Sequence, residues 1–509
     1  MPAPDEYPPW MRLRAIPLLC AAALAAPVGA SAGTFSLVQA RPAANFALRA
    51  AGGLSIAPRL GMWRLPSAAA ERLAPRLQRA GMLERVQRER TLVVFSRARA
   101  FTDPLPDSEW WLVSVGAAGL TSPGPGKPVV VVDSGLDVTH PLFAGRANLT
   151  LLNQQTTRGG GEDHGTEVSS LIGAGSAALG MVGVYPDAVL ESWDASPFNL
   201  ITDTAAVLGI QKAASLGPAV INLSWGSFES DPFVEQAVES AFKSGSLIVA
   251  AAGNERGHGS TVAYPASYPH VLAVGATDSN NLVAGFSSAS PHLDLVAPGA
   301  GVTAADPEAP GGFSSVDGTS FASPLVAGAA GWIWTARPTL DNTQLFQLLR
   351  SSASDLGTPG WDPDYGYGLL DLPAALAAPT PASDPQEPNE DIGEVRAGGP
   401  FGDQANPVLA PGTLSARIDA VDDPRDVYRI ALPLRKRITV RVSTPGLLLT
   451  IWGPKTGSVL EGRAARKRDM LASGRLVATA RGVGNAGYVE VALAPGTHDL
   501  SYKLTVSTR

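Results

Sequence analysis

The chain is poor in the residues that would support disulfide or thiol chemistry. Its 509 residues include a single cysteine, Cys20, so an intramolecular disulfide cannot form. Charged residues make up 17% and aromatic residues 6%, whereas hydrophobic residues make up 45%. This composition is typical of a globular rather than a disordered protein. The length exceeds what one hydrophobic core supports and predicts two to four domains.

Long apolar runs are also scarce, and the one that suggests targeting lies near the N-terminus. Two arginines precede the apolar run from Ala15 to Ala30, and small residues follow it. This pattern predicts a signal peptide over residues 1–32 and a secreted protein with no stable membrane span after processing. A signal anchor remains the alternative, although the run is short for a span. Removal of this segment would also remove Cys20.

One serine lies among small residues at a predicted helix start, in DGTSFASPLVAG from Asp317 to Gly328. Pro324 is tolerated only near a helix start, and the apolar residues after it predict a buried helix. The hydroxyl of Ser320 would lie in the positive field of the helix N-terminus, beside free N–H groups. That position suits a nucleophile whose reaction produces an oxyanion.

A serine nucleophile needs a base and an orienting carboxylate. Of the six histidines, only His164, in DHGTEV, has neighbours that suit a catalytic base. It lies at the start of a predicted helix, and the glycine after it should leave the imidazole accessible to a substrate. A surface histidine near a helix cap remains the alternative. Asp133 follows four valines, which predict a buried parallel strand whose carboxyl end is where α/β sheets place their sites. Asp137 competes, but its position is typical of a turn.

An amide that could stabilise an oxyanion follows another predicted buried strand. The segment LIVAAAGN ends at Asn254, whose side chain could donate a hydrogen bond to the developing charge. Taken alone, a Gly-Asn pair after a strand is more often a turn.

These four segments together resemble the subtilisin-like serine protease (subtilase) family. Their order is that of the family, in which aspartate precedes histidine and serine. Three further segments match at 220–226, 295–299 and 366–371. The resemblance covers roughly 103–378 and implies a subtilisin-like three-layer α/β fold with a mostly parallel sheet. It also implies endopeptidase action on polypeptides through an acyl-enzyme.

The resemblance implies roles for individual residues. Asp133, His164 and Ser320 would form the triad, and Asn254 with the Ser320 backbone N–H would bind the oxyanion. The peptide groove would be lined by Ser224, Trp225, Gly226, Ala251, Ala252 and Gly253. No cofactor is needed for catalysis, and no metal ligand can be assigned, although structural calcium is common in the family.

Two positions in this chain depart from the family pattern. Glu167 stands where a second histidine is usual, which should alter the electrostatics of the site. Trp225 replaces a common leucine, and we expect its ring to narrow an apolar substrate subsite.

The region 33–102 is similar by position to a propeptide, of small α+β fold. A helix is predicted over 67–80 and a strand over 91–95. Residues 58–99 hold ten arginines and three glutamates, whereas the whole chain has a net charge of −7. Opposite charges favour docking of this region on the rest of the chain as an intramolecular inhibitor. An arginine-rich solvated face is the alternative.

The C-terminal part begins with a proline-rich stretch that predicts a stiff, solvated linker over 379–390. Over 391–509, alternating apolar and polar residues predict an antiparallel β-sandwich. The motif QEPNE at 386–390, with a later Asp-x-Tyr, resembles the pre-peptidase C-terminal domain of secreted bacterial peptidases.

Functions of other classes are disfavoured by missing motifs. An inactive homologue acting as a binding module would normally lack a triad residue, and none is missing. A lipase would require Gly-x-Ser-x-Gly and the order Ser, Asp, His. The commonest zinc peptidases require His-Glu-x-x-His, which the chain does not contain. We expect no nucleic-acid partner.

Overall fold

The computed structural model describes residues 35–508 except for positions 96, 101–108, 156–162, 177–180, 196–199, 385, 397–398, 400–405, 421–422, 433, 435, 443, 461–475, 482–484 and 498. The predicted signal peptide over 1–32 therefore lies outside the described residues. Among the described helices, none combines the length and the hydropathy that crossing a membrane would require.

Residues 35–88 form a small α+β unit. Its elements are β1 (Phe35–Ala40), α1 (Asn45–Ala50), β2 (Leu54–Ala57), β3 (Met62–Pro66), α2 (Ser67–Arg79) and β4 (Leu83–Arg88). The antiparallel sheet has the order β2-β3-β1-β4. One face of the sheet packs against its own helices, and the other joins the main core. The predicted helix over 67–80 is confirmed as α2, with Pro75 inside it.

The centre of the molecule is a seven-stranded parallel sheet. Its strands are β7 (Pro128–Asp133), β8 (Leu149–Leu151), β11 (Val189–Asp194), β13 (Val220–Leu223), β15 (Leu247–Ala251), β16 (Val271–Thr277) and β17 (Leu295–Pro298). They follow the order β17-β16-β15-β13-β7-β11-β8. The central strands are continuous runs of valine, leucine, isoleucine and alanine because both faces are buried.

Helices cover this sheet. They are α3 (Trp110–Ser114), α4 (His164–Gly173), α5 (Asp203–Ser215), α6 (Pro232–Lys243), α7 (Thr319–Ala336), α8 (Asn342–Ser351) and α9 (Leu372–Ala377). Helix α7 packs against β13, β15 and β16 and against α4, whereas α5 packs against α6. The predicted helix after Ser320 is confirmed as α7, and the predicted three-layer α/β fold is confirmed.

Short strands surround the sheet, and the first two of them directly follow the N-terminal unit in the chain. They are β5 (Thr91–Val94), β6 (Arg97–Ala100), β9 (Gly175–Ser176), β10 (Met181–Val182), β12 (Leu200–Thr202), β14 (Trp225–Gly226), β18 (Ala300–Ala305) and β19 (Phe313–Asp317). Strand β5 lies between β12 and β14, and β6 pairs with β19. The predicted strand over 91–95 therefore joins the central part of the molecule.

The C-terminal part contains helix α10 and two antiparallel sheets. The elements are α10 (Ile392–Val395), β20 (Gly412–Ile418), β21 (Arg425–Leu432), β22 (Arg437–Val442), β23 (Leu447–Trp452), β24 (Leu476–Arg481), β25 (Asn485–Leu493) and β26 (Leu500–Thr508). The sheets have the orders β20-β26-β22-β24 and β21-β25-β23. Residues of both sheets share one core, which confirms the predicted β-sandwich.

The stretch before α10 corrects one expectation. A fully solvated linker over 379–390 is wrong, because Asp384, Glu387 and Asn389 are buried. The backbone N–H of Arg417 donates to the Asp384 carboxylate, and the imidazole of His270 contacts Glu387. Proline-rich composition did not reveal these contacts, which are made by residues far away in the sequence.

Candidate active site

Four polar side chains meet at one edge of the parallel sheet. Strand β7 ends at Asp133, and Asn254 follows the end of β15, two positions away in the strand order. Because parallel strands share their carboxyl edge, these two residues lie on the same side of the sheet. His164 is the first residue of α4, and Ser320 is the second residue of α7. The structure thus brings all four predicted residues to this edge.

Asp133 and His164 form a buried ion pair. Nδ1 of His164 lies 2.8 Å from Oδ1 of Asp133, and their exposed fractions are 2% and 0%. Burial disfavours the imidazolium, but the charge and hydrogen bond of Asp133 outweigh it and raise the pKa of His164. This arrangement fixes the ring so that Nε2 is left for chemistry.

The glycine after the histidine has a packing role that the sequence did not reveal. We expected Gly165 to leave the imidazole open to substrate. Instead, a Cβ at this position would lie 2.0 Å from the carbonyl oxygen of Gly135. The N–H of Gly165 also donates to Oγ of Ser134, at 3.0 Å. Glycine is required because α4 approaches the loop after β7 closely.

The hydroxyl of Ser320 is buried and hydrogen-bonded to main-chain groups. Its Oγ donates to the carbonyl oxygen of Ser224, at 2.7 Å, and accepts from the N–H of Phe95, at 3.1 Å. Nε2 of His164 has no hydrogen-bond partner among the residues that the structure describes. Transfer of the hydroxyl proton to His164 would therefore require rotation of the Ser320 side chain.

The side-chain amide of Asn254 accepts hydrogen bonds through its oxygen and donates one through its nitrogen. Its Oδ1 accepts from the N–H and the hydroxyl of Thr319, both at 3.0 Å. This fixes the amide so that Nδ2 donates to the carbonyl oxygen of Phe95, at 2.7 Å. A carbonyl in this position would receive the same hydrogen bond as it becomes an oxyanion.

Residues 91–95 lie across the site as an extended strand. Val94 pairs with Trp225, and Val93 pairs with Gly226 on one side and with Leu200 on the other. The chain is therefore inserted between β12 and β14 as the middle strand of an antiparallel sheet. A peptide held through its main chain in this way occupies the groove largely independently of its side chains.

The side chain of Phe95 fills a small apolar pocket. It is 5% exposed and packs against Ala251 and Ala263, and its ring centroid lies 5.8 Å from that of Phe228. A Cβ on Gly226 would come within 2.7 Å of the ring. The same Cβ would lie 2.5 Å from the carbonyl oxygen of Tyr264, so the absence of a side chain at Gly226 makes room both for the aromatic ring and for this neighbouring backbone.

The other predicted groove residues lie close to the site with different roles. Oγ of Ser224 donates to the carbonyl oxygen of Ser320, at 2.8 Å. Ala252 is buried, and the N–H of Gly253 donates to the hydroxyl of Thr319. Gly253 has a φ of +99°, a conformation that favours glycine.

The expected role of the Trp225 ring is wrong. Its side chain is 0% exposed and belongs to the main core. Nε1 donates to the carbonyl oxygen of Val132, at 2.7 Å, so the indole lies under the sheet edge. Only the main chain of Trp225 pairs with residues in the groove. Side chains alternate along a strand, and the sequence alone did not tell which face this one takes.

Comparison with known proteins shows the family of the chain. Residues 124–368 match the model of the Subtilase family. Subtilisin from Bacillus pumilus is 38% identical over 261 residues, which are 50% of this chain and 91% of that protein. Subtilisin Savinase from Lederbergia lenta is 39% identical over 260 residues, 50% of this chain and 92% of that protein. The chain belongs to the subtilase family.

The match to other subtilases is partial in length. Subtilisin E from Bacillus subtilis is 38% identical over 261 residues, and the chain covers 66% of that protein. Among solved structures, fervidolysin from Fervidobacterium pennivorans, a keratinolytic enzyme related to subtilisin, has a TM-score of 0.59 and 19% identity. The structural match covers 95% of this chain and 90% of the fervidolysin chain, so the likeness extends to the overall fold.

An acidic side chain lies close to His164 in this subtilase. Glu167 is in the first turn of α4 and 4% exposed. Burial raises its pKa to about 8, while the charge of His164 acts in the opposite direction. Glu167 in turn contributes to the raised pKa of His164. The glutamate at this position therefore affects the pKa of His164.

Charged groups attach the N-terminal region to the body of the subtilase. The guanidinium of Arg90 donates to Asp231, at 2.6 Å, and to Glu229, at 3.3 Å. The N–H of Arg90 also donates to Asp203, at 2.9 Å. Burial and the nearby Asp231 raise the pKa of Asp203 to about 7. These contacts match the predicted pairing of a basic segment with an acidic surface.

Sequence reasoning missed the residues that define the occupied pocket. Phe95, Ala263 and Phe228 come from three distant segments, and no motif connects them. One signal was available for Phe95, since it ends the apolar run TLVVF at the end of the basic segment. An apolar strand beside such a segment is a candidate for binding in a groove.

Proposed function

We propose that this protein is a secreted serine endopeptidase that hydrolyses peptide bonds through Asp133, His164 and Ser320. One observation carries the proposal. The carbonyl oxygen of Phe95 accepts a hydrogen bond from Nδ2 of Asn254, at 2.7 Å. The N–H of the same Phe95 donates to Oγ of the nucleophile Ser320. A main-chain carbonyl thus lies between the nucleophile and a donor for its oxyanion, as peptide hydrolysis requires.

The proposed reaction begins with rotation of the Ser320 hydroxyl towards Nε2 of His164. Oγ then attacks the carbonyl carbon as His164 takes its proton, and Asp133 stabilises the imidazolium. Asn254 and the backbone N–H of Ser320 bind the oxyanion. Collapse of the tetrahedral intermediate leaves an acyl-enzyme, and the departing amine takes the proton from His164. Water then hydrolyses the ester by the reverse sequence.

The first substrate in this proposal is the chain itself, at the Phe95–Ser96 bond. Phe95 supplies the carbonyl in the site, and residues 91–94 fill the groove before it. The propeptide-like region predicted over 33–102 would accordingly end at Phe95. After cleavage, the new carboxylate would stay beside Asn254, and the released segment would remain bound as an inhibitor until it dissociates.

The inactive binding module remains the competing function. An occupied groove is also what a module that binds peptides permanently would contain. The presence of all three triad residues and of Asn254 favours the peptidase. Secretion rests on the sequence pattern of residues 1–32 and on no contact within the structure.

Two substitutions test the activity. Ser320→Ala should reduce hydrolysis of a peptide substrate by several orders of magnitude and abolish labelling by a serine-directed phosphonate. Asn254→Ala should lower kcat by roughly 10²–10³-fold with little change in KM, the range known for removing one oxyanion donor from subtilisin. Labelling should persist at a slower rate in Asn254→Ala.

The outcome that contradicts the proposal is hydrolysis that survives Ser320→Ala and is lost with a chelator. No hydrolysis by the wild-type chain, despite tight peptide binding, would favour the inactive module.

A further inference from the structure

A group of acceptors beyond the groove, where α5 and α6 begin, binds a guanidinium. Oδ2 of Asp231 accepts from Nε of Arg90, at 3.2 Å, and from its Nη2, at 2.6 Å. Nη2 also donates to the carbonyl oxygen of Ser230, at 3.0 Å, and Nη1 donates to Glu229, at 3.3 Å. Each nitrogen of the guanidinium therefore has an acceptor, a geometry that suits arginine better than lysine. We call Asp203, Glu229, Ser230 and Asp231 the guanidinium site.

The two aspartates of the guanidinium site are fixed by their own helices. Asp231 caps α6, and its Oδ1 accepts from the N–H groups of Phe233, at 2.8 Å, and Val234, at 3.2 Å. Oδ1 of Asp203 accepts from the N–H of Thr204, at 2.8 Å. The exposed fractions of Asp203 and Asp231 are 0% and 2%. Each aspartate thus has one oxygen held by its helix and a second oxygen that meets other donors.

The second oxygen of each aspartate is bound by the N-terminal region. Among the described residues, the donors to Oδ2 of Asp231 are the side chains of Gln87 and Arg90. The donors to Oδ2 of Asp203 are the Gln87 amide and the Arg90 N–H, again within the described part of the chain. That region is the segment that would leave after cleavage at Phe95. Its departure would deprive two buried carboxylate oxygens of their donors, and such oxygens favour a new cation.

The position of Arg90 in the chain indicates what would enter the site next. Residues 91–95 are the five residues before the proposed cleavage, so Arg90 is the sixth. Thr91 pairs with Thr202, and the next N–H, that of Arg90, donates to Asp203, at 2.9 Å. The main-chain contacts of the groove therefore extend to this residue. A substrate in the same extended conformation would bring its own sixth residue to the guanidinium site.

We propose that the mature enzyme uses the guanidinium site as a subsite for an arginine six residues before the cleaved bond of a peptide substrate. This inference rests on the proposed function, because it needs a peptidase whose N-terminal segment leaves the groove. In the uncleaved chain Arg90 occupies the subsite, and in the mature enzyme the arginine of a substrate takes its place. The pocket of Phe95 and the guanidinium site together would select an aromatic residue preceded, five positions earlier, by an arginine.

A role confined to docking the N-terminal region is the competing account. In that account Asp203 and Asp231 pair only with Arg90 and Gln87, and a substrate leaves the groove before its sixth residue. Gln87 lies in β4, outside the inserted strand, so a substrate in the groove would not supply its amide. The two accounts therefore differ in whether the mature enzyme, freed from that region, recognises an arginine at the sixth position.

The test compares peptides cleaved by the mature wild-type enzyme. All peptides carry TLVVF before the cut and the same residues after it, with arginine, lysine or alanine at the sixth position. A further peptide has alanine at the sixth position and arginine at the eighth, which keeps the net charge. We expect kcat/KM to be about 10-fold higher with arginine than with alanine at the sixth position, because charged hydrogen bonds at a partly exposed site are gained. Lysine should be intermediate, and arginine at the eighth position should resemble alanine.

Substitutions in the enzyme connect this preference to the site. Asp231→Asn keeps an acceptor for the cap of α6 but replaces Oδ2 by an amide nitrogen, so most of the arginine preference should be lost. Glu229→Gln should reduce the preference less, and the 82% exposure of the Glu229 side chain makes impaired folding unexpected. Glu235→Gln is the matched control, because it makes the same charge change on α6 at a residue whose charge acts on Arg85. It should leave the preference unchanged.

Peptides that end at the phenylalanine give a readout without hydrolysis. They represent the product before the cut, and displacement of a fluorescent copy measures their affinity. The peptide with arginine at the sixth position should bind about 10-fold more tightly than the alanine peptide. This difference should shrink as the salt concentration rises, because the side chain of Arg90 in the same site is 28% exposed.

Two results would overturn the proposal. Equal kcat/KM and equal affinity for the arginine and alanine peptides would leave the guanidinium site with a docking role alone. An arginine preference that Glu235→Gln reduces as much as Asp231→Asn would assign the preference to overall negative charge. Absence of hydrolysis for every peptide, with the affinity difference intact, would instead contradict the peptidase and support the guanidinium site as a peptide-binding site.

Discussion

The N-terminal region and the C-terminal sandwich attach in different ways to the catalytic part, which is the part of the chain that contains the parallel sheet. Residues 91–95 attach as a strand between two others, supported by ion pairs in which the Arg90 side chain is 28% exposed. The sandwich attaches through charges that are almost wholly buried, with Arg350 1% exposed beside Asp419 at 6%. Salt screens exposed pairs but hardly affects buried ones. Salt should therefore weaken the ion pairs of Arg90 more than the pair of Arg350 and Asp419.

The difference extends to the covalent chain. At the N-terminal attachment the N–H of Phe95 donates to Oγ of Ser320 and its carbonyl oxygen accepts from Asn254, so cleavage after Phe95 would free one end of the inserted strand. At the C-terminal attachment the buried polar side chains come from three places, which are α8 with Arg350, the residue after β20, Asp419, and the segment before α10 with Asp384 and Glu387. Separation of the sandwich from the catalytic part would break the ion pair between Arg350 and Asp419.

The largest effect expected from this comparison concerns the pocket of Phe95. Gly226→Ala places a methyl group 2.7 Å from the present position of the ring and 2.5 Å from the carbonyl oxygen of Tyr264, so the test compares two substrates rather than absolute rates. We expect kcat/KM for peptides with phenylalanine before the cut to fall by roughly 10–200-fold relative to peptides with alanine there. Profiling against paired peptides measures this ratio.

Trp225→Leu is the matched control for the pocket. Its ring is buried away from the groove, so the substitution should reduce stability and leave the preference ratio unchanged. A changed ratio in Trp225→Leu together with an unchanged ratio in Gly226→Ala would contradict the assignment of the pocket.

A smaller effect is expected at the N-terminal ion pairs. Arg90→Ala in a separately added segment 35–95 should weaken its inhibition of the mature enzyme by about 10-fold, since it removes hydrogen bonds to Asp231. Arg79→Ala is the control with the same charge change, because Arg79 is exposed on α2. The inhibition constant of the Arg90→Ala segment should depend less on salt concentration than the inhibition constants of the unchanged and Arg79→Ala segments. Equal losses in both variants would mean that net charge alone drives docking.

The smallest effect concerns pH. The base must be neutral to act, and the pKa of His164 is raised, so kcat/KM should rise with pH through a value above 6.5. Glu167→Gln removes a negative charge that favours the imidazolium, so this limb should move to lower pH. The shift should stay below about one unit, because Glu167 is itself partly protonated below its pKa of about 8. A shift to higher pH would contradict the account.

The sequence predicted the catalytic part well for physical reasons. Asp133 and Ser320 lie at a strand end and a helix start, which local patterns reveal, and the family motifs supplied their order. The sandwich was predictable because half-buried strands alternate apolar and polar residues. The domain boundaries, including the division at 378 and 391, remain predictions.

Contacts between distant segments could not be predicted. The direction of the Trp225 ring depends on which face of its strand meets the core. The burial of Glu387 depends on His270, more than a hundred positions earlier, and nothing in a proline-rich segment indicates it. To predict that Phe95 enters the site, the position of Asn254 in space would have been needed.

The most direct test of the account is the N-terminal residue of the mature enzyme. Mass spectrometry of the purified wild-type chain should find Ser96 as the first residue, with a separate segment that ends at Phe95. The Ser320→Ala chain should remain joined across this bond. A mature enzyme that begins elsewhere, or a Ser320→Ala chain cut at the same bond in the absence of other peptidases, would contradict self-cleavage at Phe95–Ser96.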